Sequence, residues 1–599
     1  PSASTQDLAV HLTALPDREV AALLVARPDL AAPPSSSFLA LATRAGAQGS
    51  IEHALAGLDA PTLAVAEAVV ALSRLDESGE AAGTGPTEVT EVAEVAERGR
   101  ADGAGGASGE PAGGEPLGDS AGNPANPVGA DLAGLVAAHL PLPAEQVADA
   151  LGHLSWLALV VEDRPVAVLE AAFGPHPFGL GPWAAEPLSA EQLPPTLEEL
   201  SEDVVGEPVV PAASVEMLQA LTWGPPAGTL RSGGRAPGAA PLIERGWLER
   251  SSDARGRTRF ILPREVALAL RGGRLTRETL TAPEAGDLET VGADVVASES
   301  SFHAEETVRL VAALLEEWGR EGGTIRRTGG VSVRALTRTA DALDLELHEA
   351  ARIIEIAAGA GLLGLDDDGA TWVPSTLAAG WLADSLPQRW APLALAWAGS
   401  ARTSWLTGTR DDDGTLRAAL GPDLEAGWAV RLRARVLALL GDLSQGTSAT
   451  PAFVRAALTW ESPRRTIPGG AISAVLAEAE TLGITGGGAL TEAGRILARR
   501  AAVSLDERDV VRSGGGGDAG GAEVTDGDAH AEPLSDDETL AALEAALAAD
   551  LPAAVDMILV QSDLTAIVPG RPAPELAALL ERTSVVESRG GALTVRFTP

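Results

Sequence analysis

Lysine, cysteine and tyrosine are missing from this chain of 599 residues. A phosphate-binding P-loop sets a Lys on the β/γ-phosphates, and Schiff-base enzymes need a Lys amine. Neither chemistry is open to a chain whose 44 basic residues are all arginine. Without Cys there is no disulfide, no thiol nucleophile and no thiolate zinc site. The eight histidines, at positions 11, 53, 139, 153, 176, 303, 348 and 530, include no pair at the i, i+4 spacing of a zinc-binding helix. Pro1 to Leu15 lacks a basic segment followed by an apolar one, and no apolar run reaches the roughly 20 residues of a membrane span. The sequence therefore predicts a cytoplasmic protein, with association to the nucleoid as a variant, and no membrane partner.

Hydrophobic residues make up 45% of the chain, ample for globular cores, and the length suits about three to five domains. Acidic residues number 84, so the net charge is −40 and repels nucleic acid at long range. Arg in place of Lys, with abundant Ala, Gly and Pro, points to a GC-rich genome. Much of the negative charge sits in three Gly-rich stretches, 76–130, 281–300 and 504–535. Such segments cannot bury enough apolar surface to offset their ordering entropy, so they read as disordered linkers. Within the first, Glu88 to Glu97 has a helical period. A second reading makes these stretches nucleic-acid mimics that compete for a basic face. The start at Pro1 and the end at Pro599 suggest part of a longer protein.

Between the linkers, helical periodicity predicts helices at 19–26, 60–75, 215–221, 305–318, 331–343, 347–360, 428–440, 451–460, 471–482 and 540–549. Strand signals are short, at 257–262, 371–373, 557–568 and 592–597. The pattern of two or three helices, a Gly turn and a two-stranded ribbon recurs at 242–263, 351–374 and 478–493. A fourth copy, split by the first linker, ends in a ribbon at 154–165. A helical trio with a terminal hairpin is the winged helix, a relative of helix-turn-helix. The expected fold class is mainly α with small β-hairpins (α+β): tandem winged-helix-like domains joined by acidic linkers, plus a terminal small α/β module. The expected domains are 1–75 with 131–185, then 205–280 with an Arg-rich wing, 301–385, 386–503 and 536–599.

The densest basic stretch supplies the candidate nucleic-acid site: Arg245, Arg250, Arg255, Arg257, Arg259, Arg264, Arg271 and Arg274, with Arg277 beside them. Arg255, Arg257 and Arg259 alternate along the expected wing, so all three share one face. A forked guanidinium suits phosphate oxygens and guanine edges. The competing reading is a solvated surface hairpin. Weaker clusters are Arg326, Arg327, Arg334 and Arg338; Arg431, Arg433 and Arg435; and Arg495, Arg499 and Arg500. Most of the 12 Trp lie in apolar contexts and read as core.

Catalytic patterns are absent. Gly118-Asp119-Ser120-Ala121-Gly122 fits a nucleophile elbow in letters but has neither a strand before it nor a helix after it. Asp366 to Gly369 and Asp411 to Gly414 read as turns, with too few ligands for a calcium loop. No cofactor and no metal are expected, and no enzymatic activity.

The terminal segment contains Val555-Asp556-Met557-Ile558-Leu559-Val560-Gln561-Ser562-Asp563, Val585-Val586-Glu587-Ser588 and Thr594-Val595-Arg596-Phe597-Thr598. It resembles the start of the N-terminal domain of XPB-type DNA repair helicases, in which such a strand opens a small α/β module ahead of the motor. The region from Asp7 to Arg500 resembles actinobacterial helicase-associated proteins, through Leu23 to Leu30, Leu262 to Gly273, Leu406 to Asp411 and Glu478 to Arg495. The motor motifs themselves, a Walker A Lys and an Asp-Glu-x-His box, are not in the chain. The resemblance implies a non-catalytic helicase-associated protein, an accessory factor of DNA repair or transcription that contacts DNA through winged-helix-like domains. The alternative is a scaffold that docks an XPB-type helicase or transcription component without binding DNA. The two differ in whether DNA is retained at low salt.

Overall fold

The computed structural model describes residues 2–73, 129–201, 209–229, 236, 238–252, 257–411, 413–511, 534–589 and 592–597. Residues 76–128 and 512–533 of the expected linkers, with the helix-like 88–97 and the elbow-like 118–122, lie outside them. The chain is mainly helical with small antiparallel sheets, an α+β protein. It divides into two compact units. The first holds Pro1–Leu15, Ser36–Glu52 and Pro61–Leu280, and the second holds Pro16–Ser35, His53–Ala60 and Thr281–Pro599.

Short helices open the chain: α1 (Thr5–Ala14), α2 (Asp17–Ala26), α3 (Pro28–Ala31), α4 (Phe38–Ala45), α5 (Gln48–Leu55), α6 (Ala60–Leu72), α7 (Gly129–His139) and α8 (Ala144–Trp156). Ser4 and Asp7 form the capping box that starts α1, satisfying two backbone N–H groups at its first turn. Arg27 leaves helical geometry ahead of Pro28 and ends α2. Strands β1 (Val160–Val161) and β2 (Arg164–Pro165) make the hairpin expected at 154–165. Then come α9 (Ala167–Phe173), α10 (Leu197–Ser201), α11 (Ala212–Thr222), β3 (Ala227–Thr229), α12 (Ala239–Glu244), β4 (Glu249–Ser252), β5 (Thr258–Ile261) and α13 (Arg264–Leu270). β5 lies between β3 and β4, antiparallel to both.

The second unit repeats an order of elements. Helix α14 (Ala293–Arg320) leads to β6 (Gly323–Thr324), α15 (Val333–Leu343), α16 (Leu347–Gly359), β7 (Leu363–Leu365) and β8 (Thr371–Pro374), with β8 between β6 and β7. Two connecting helices follow, α17 (Ala378–Ala383) and α18 (Leu386–Ala398). The order then recurs with α19 (Gly427–Asp442), α20 (Pro451–Glu461), α21 (Ala471–Thr481), β9 (Thr485–Gly486) and β10 (Ala489–Leu490). Here Ser448 bridges to Ala489 in place of a full first strand. Two helices, α22 (Glu492–Val511) and α23 (Asp536–Asp550), precede β11 (Leu559–Val560), β12 (Thr565–Val568), α24 (Pro574–Thr583), β13 (Ser584–Arg589) and β14 (Leu593–Phe597).

Three domain expectations change. Residues 281–300 carry the start of α14, because their acids Asp294 and Glu299 face outward while Val296 and Ser300 are buried. Composition counts charges but not the face they occupy. Residues 301–385 and 386–503 share one core, running from Ala304 through Trp390, Leu437 and Leu482 to Leu547. Helix α23, expected in the terminal module, belongs to that core through Leu543 and Leu547. Its Asp550 carbonyl accepts a bond from the Ser301 hydroxyl.

One buried and one part-buried ion pair lie in this core. Arg433 on α19 meets Glu478 on α21 at 3.0 Å, with both side chains almost wholly buried. Its guanidinium also donates to the carbonyls of Ser400 and Arg402 and lies against Trp397 and Trp405. Glu478 additionally accepts from the Trp397 indole N–H and the Ser404 hydroxyl. Arg402 grips Glu355 through two bonds, of 2.8 and 3.0 Å. Every one of these groups is committed to packing helices together. These weak basic clusters of the sequence are therefore in part interior: Arg433 is buried, and Arg435 and Arg495 reach backbone carbonyls.

Candidate nucleic-acid interface and docking surface

Seven of the eight arginines of the candidate site lie among the described residues, in five environments. Arg264 and Arg271 are buried. Helix α13 is apolar, with Val266, Ala267, Leu268 and Leu270 inside, and Arg264 and Arg271 stand two turns apart on it, one at each end. Arg264 donates to the carbonyls of Ala71 at 2.6 Å and Gly181 at 2.9 Å, and lies against the Trp183 ring. Arg271 donates to the carbonyls of Thr222, Phe178 and Leu275 and sits 4.3 Å from the centre of the Trp223 ring. Burial pushes the Arg271 guanidinium down to about 10 and lowers that of Arg264. These two are corrections: they bind the protein's own backbone and present nothing to a phosphate. The signal was in the sequence, since a spacing of seven on an apolar helix puts two residues on one stripe.

The hairpin divides the rest. Arg255 lies outside the described residues. Arg259 stands opposite Ser251 and Thr229, and Arg257 shares its face of the ribbon by alternation. Arg250 stands opposite Phe260, so it occupies the other face. Arg245 reaches the carbonyls of Val209 and Pro241 from the end of α12 and lies over Trp247. Arg274 approaches Glu198 at 3.8 Å. Among the described residues the stretch therefore yields one small basic face, Arg257 with Arg259, and Glu249 occupies the same side of the ribbon with its carboxylate on the Ala185 N–H.

Substitution separates the two populations. Arg271→Ala leaves the carbonyls it served without a donor, and is expected to destabilise the first unit by at least about 2 kcal/mol. Arg250→Ala, at an exposed edge position, is expected to stay within about 0.5 kcal/mol. Urea unfolding of each variant checks both.

The last helix before the hairpin in each repeat carries little positive charge. α12 has no Arg, and α21 has Glu478 and Glu480 but no Arg. α16 has one, Arg352, bonded to the Thr481 hydroxyl. Seven of the eight residues from Ala350 to Ala357 on α16 are buried, so the middle of this helix has no open face, while Leu347 and His348 in its first turn are exposed. Among the described residues no group of three or more His, Asp or Glu is placed to hold a metal ion, and no helix is long and apolar enough to cross a membrane.

The terminal module has the opposite character. Its four strands run in the order β11-β12-β14-β13, all antiparallel, and its core is only Ala566, Val568, Leu580 and Val595 with their flanks. The Leu559–Val560 strand and the Thr565–Val568 strand are joined by a turn at Ser562 and Asp563, where the expected single strand 557–568 breaks. Asp563 accepts from the Thr565 hydroxyl and N–H, which holds its carboxyl below the ordinary range. Large apolar side chains project from both sheet edges. Val560 is 65% exposed and Leu559 54% on β11, Met557 56% just before it, and Val585 58% on β13. Monomeric proteins seldom leave apolar sheet edges open, because unpaired strand edges recruit other chains. No family model, no curated protein and no solved structure matches the chain.

Proposed function

We propose that this chain is a non-catalytic, helicase-associated scaffold that docks a protein partner, an XPB-type helicase or a transcription component, and does not itself hold DNA. The observation that carries the reading is the apolar β11 edge of the terminal sheet. An extended partner segment can add to such an edge, with backbone bonds giving affinity and side-chain pockets giving choice. The repeated order of helix, strand, two helices and hairpin, with the first strand beside the last, supports winged-helix-like units. In such units the last helix before the hairpin is the one that enters a DNA groove. Here those helices are α12, α16 and α21, and their acidic or buried faces favour packing against protein.

A second reading, DNA contact through the hairpin, is favoured by one observation, the shared face of Arg257 and Arg259. Sedimentation of the purified chain with an XPB-type helicase, and separately with a short DNA duplex at low salt, decides between them. The scaffold predicts a complex that Val560→Asp weakens by at least about tenfold, and no DNA retention. DNA retention that falls steeply with salt and disappears in Arg257→Ala/Arg259→Ala would establish the second reading instead.

A further inference from the structure

Helices α16, α18, α19, α22 and α23 enclose an open cavity of about 540 Å³ in the second unit. Its lining is mixed: Pro392, Leu395, Val430, Leu497, Leu505 and Leu540 supply apolar surface beside small residues, and Arg431, Arg500, Ser504 and Asp536 supply polar surface. The space is open to chemistry. A Cβ added at Gly359 would meet nothing within 4 Å, and one at Gly399 would only reach the Leu395 carbonyl at 4.0 Å. The volume lies within the roughly 300–1,000 Å³ of small-molecule sites.

Two cations line the cavity, and they differ. Arg500 is occupied by Asp536, the Thr539 hydroxyl and the Leu534 carbonyl. Arg431 is exposed and has no ion pair or side-chain hydrogen bond among the described residues. Asp536 is the one acidic residue of the lining, and its partner is Arg500. The cavity thus offers apolar stretches along α18 and α22 and, in Arg431, one exposed guanidinium not engaged by a side-chain bond among the described residues.

We propose that this cavity binds a small amphipathic anion, an unbranched aliphatic carboxylate whose chain lies along α18 and α22 and whose headgroup meets Arg431. The apolar wall rewards chain length, and the planar guanidinium suits a carboxylate through two parallel bonds. A polar ligand of the same volume would leave its groups unpaired against Leu497 and Leu540, which selects against it.

Calorimetric titration of the whole chain with hexanoate, octanoate and decanoate tests the proposal. The expected result is one saturable site, with affinity rising about fourfold per added methylene. Octyltrimethylammonium, of the same length and opposite charge, is expected not to bind. Arg431→Gln should weaken octanoate binding about tenfold. Gly359→Leu places a leucine side chain in the cavity and should sharply weaken binding without lowering the urea midpoint, since leucine also favours the helix over glycine. Should that variant unfold, Ala398→Leu fills the same space from α18. Absence of a saturable site, equal binding of the cation, or undiminished binding in the filled variants overturns the proposal. Loss of the helicase partner by Val560→Asp would leave these results untouched, so the two readings fail separately.

Discussion

Glu478→Ala is expected to lower the stability of the second unit by about 3–5 kcal/mol, the cost of leaving a buried charge without its partner. Arg433 has nowhere to go. Its guanidinium is enclosed by Trp397 and Trp405 and bonded to the Ser400 and Arg402 carbonyls. These neutral acceptors orient the cation but do not neutralise it. Little solvent surrounds it, because the Arg433 side chain is 2% exposed and that of Glu478 3%. The Trp397 indole N–H and the Ser404 hydroxyl lose their acceptor in the same substitution. The second change, Arg433→Met added to Glu478→Ala, removes the orphaned charge and is expected to recover part of the loss, since an apolar replacement of a buried pair is often close to neutral. Recovery is incomplete because the two backbone carbonyls remain without donors. Urea unfolding followed by Trp fluorescence reads the effect directly. A loss below about 1 kcal/mol for Glu478→Ala would mean that the pair contributes no more than a surface bridge.

Gly483→Ala is the other large effect. Gly483 has φ +69°, a left-handed conformation, and a Cβ there would overlap the Ser300 carbonyl oxygen of α14. The backbone alone costs an alanine about 1–2 kcal/mol there. Overpacking against a helix adds about 1–3 kcal/mol more. The sum, a loss of about 2–5 kcal/mol in urea unfolding, far exceeds the ordinary surface substitution. Gly359→Ala is the control, because its Cβ enters open space and helix propensity favours alanine by about 1 kcal/mol. If Gly483→Ala and Gly359→Ala behave alike, the close approach of α14 to the β9 turn is not rigid.

What the sequence made legible follows from period and punctuation. The helices at 331–343, 347–360, 451–460 and 471–482 were readable because their apolar residues repeat at helical spacing between Gly and Ser/Thr stops, and α15, α16, α20 and α21 occupy those places. Helix α18 was not. Pro387 and Pro392 break the pattern, yet Ser385 and Gln388 form a capping box and Pro387 sits in the first turn, where its missing N–H costs nothing. The lone-pair demands that bury Arg264 and Arg271 arise from carbonyls at Ala71, Gly181 and Thr222, far away in sequence. No local window contains both ends of those bonds, so an Arg-rich stretch looked like a surface. The strand pairing that sends Arg250 to one face and Arg259 to the other depends on register, which alternation within a single strand cannot supply. The stretch 557–568 reads as one strand in the sequence, and its break into a hairpin at Ser562 and Asp563 comes with Asp563 holding Thr565.

Helix α23 is attached to α14, α18 and α22 by its own side chains, with Leu543 and Leu547 inside the shared core. Each of those leucines contributes about 1.5–3 kcal/mol by burial. Burial of these two side chains, and not the covalent link to α22, is therefore what seats α23 in the unit.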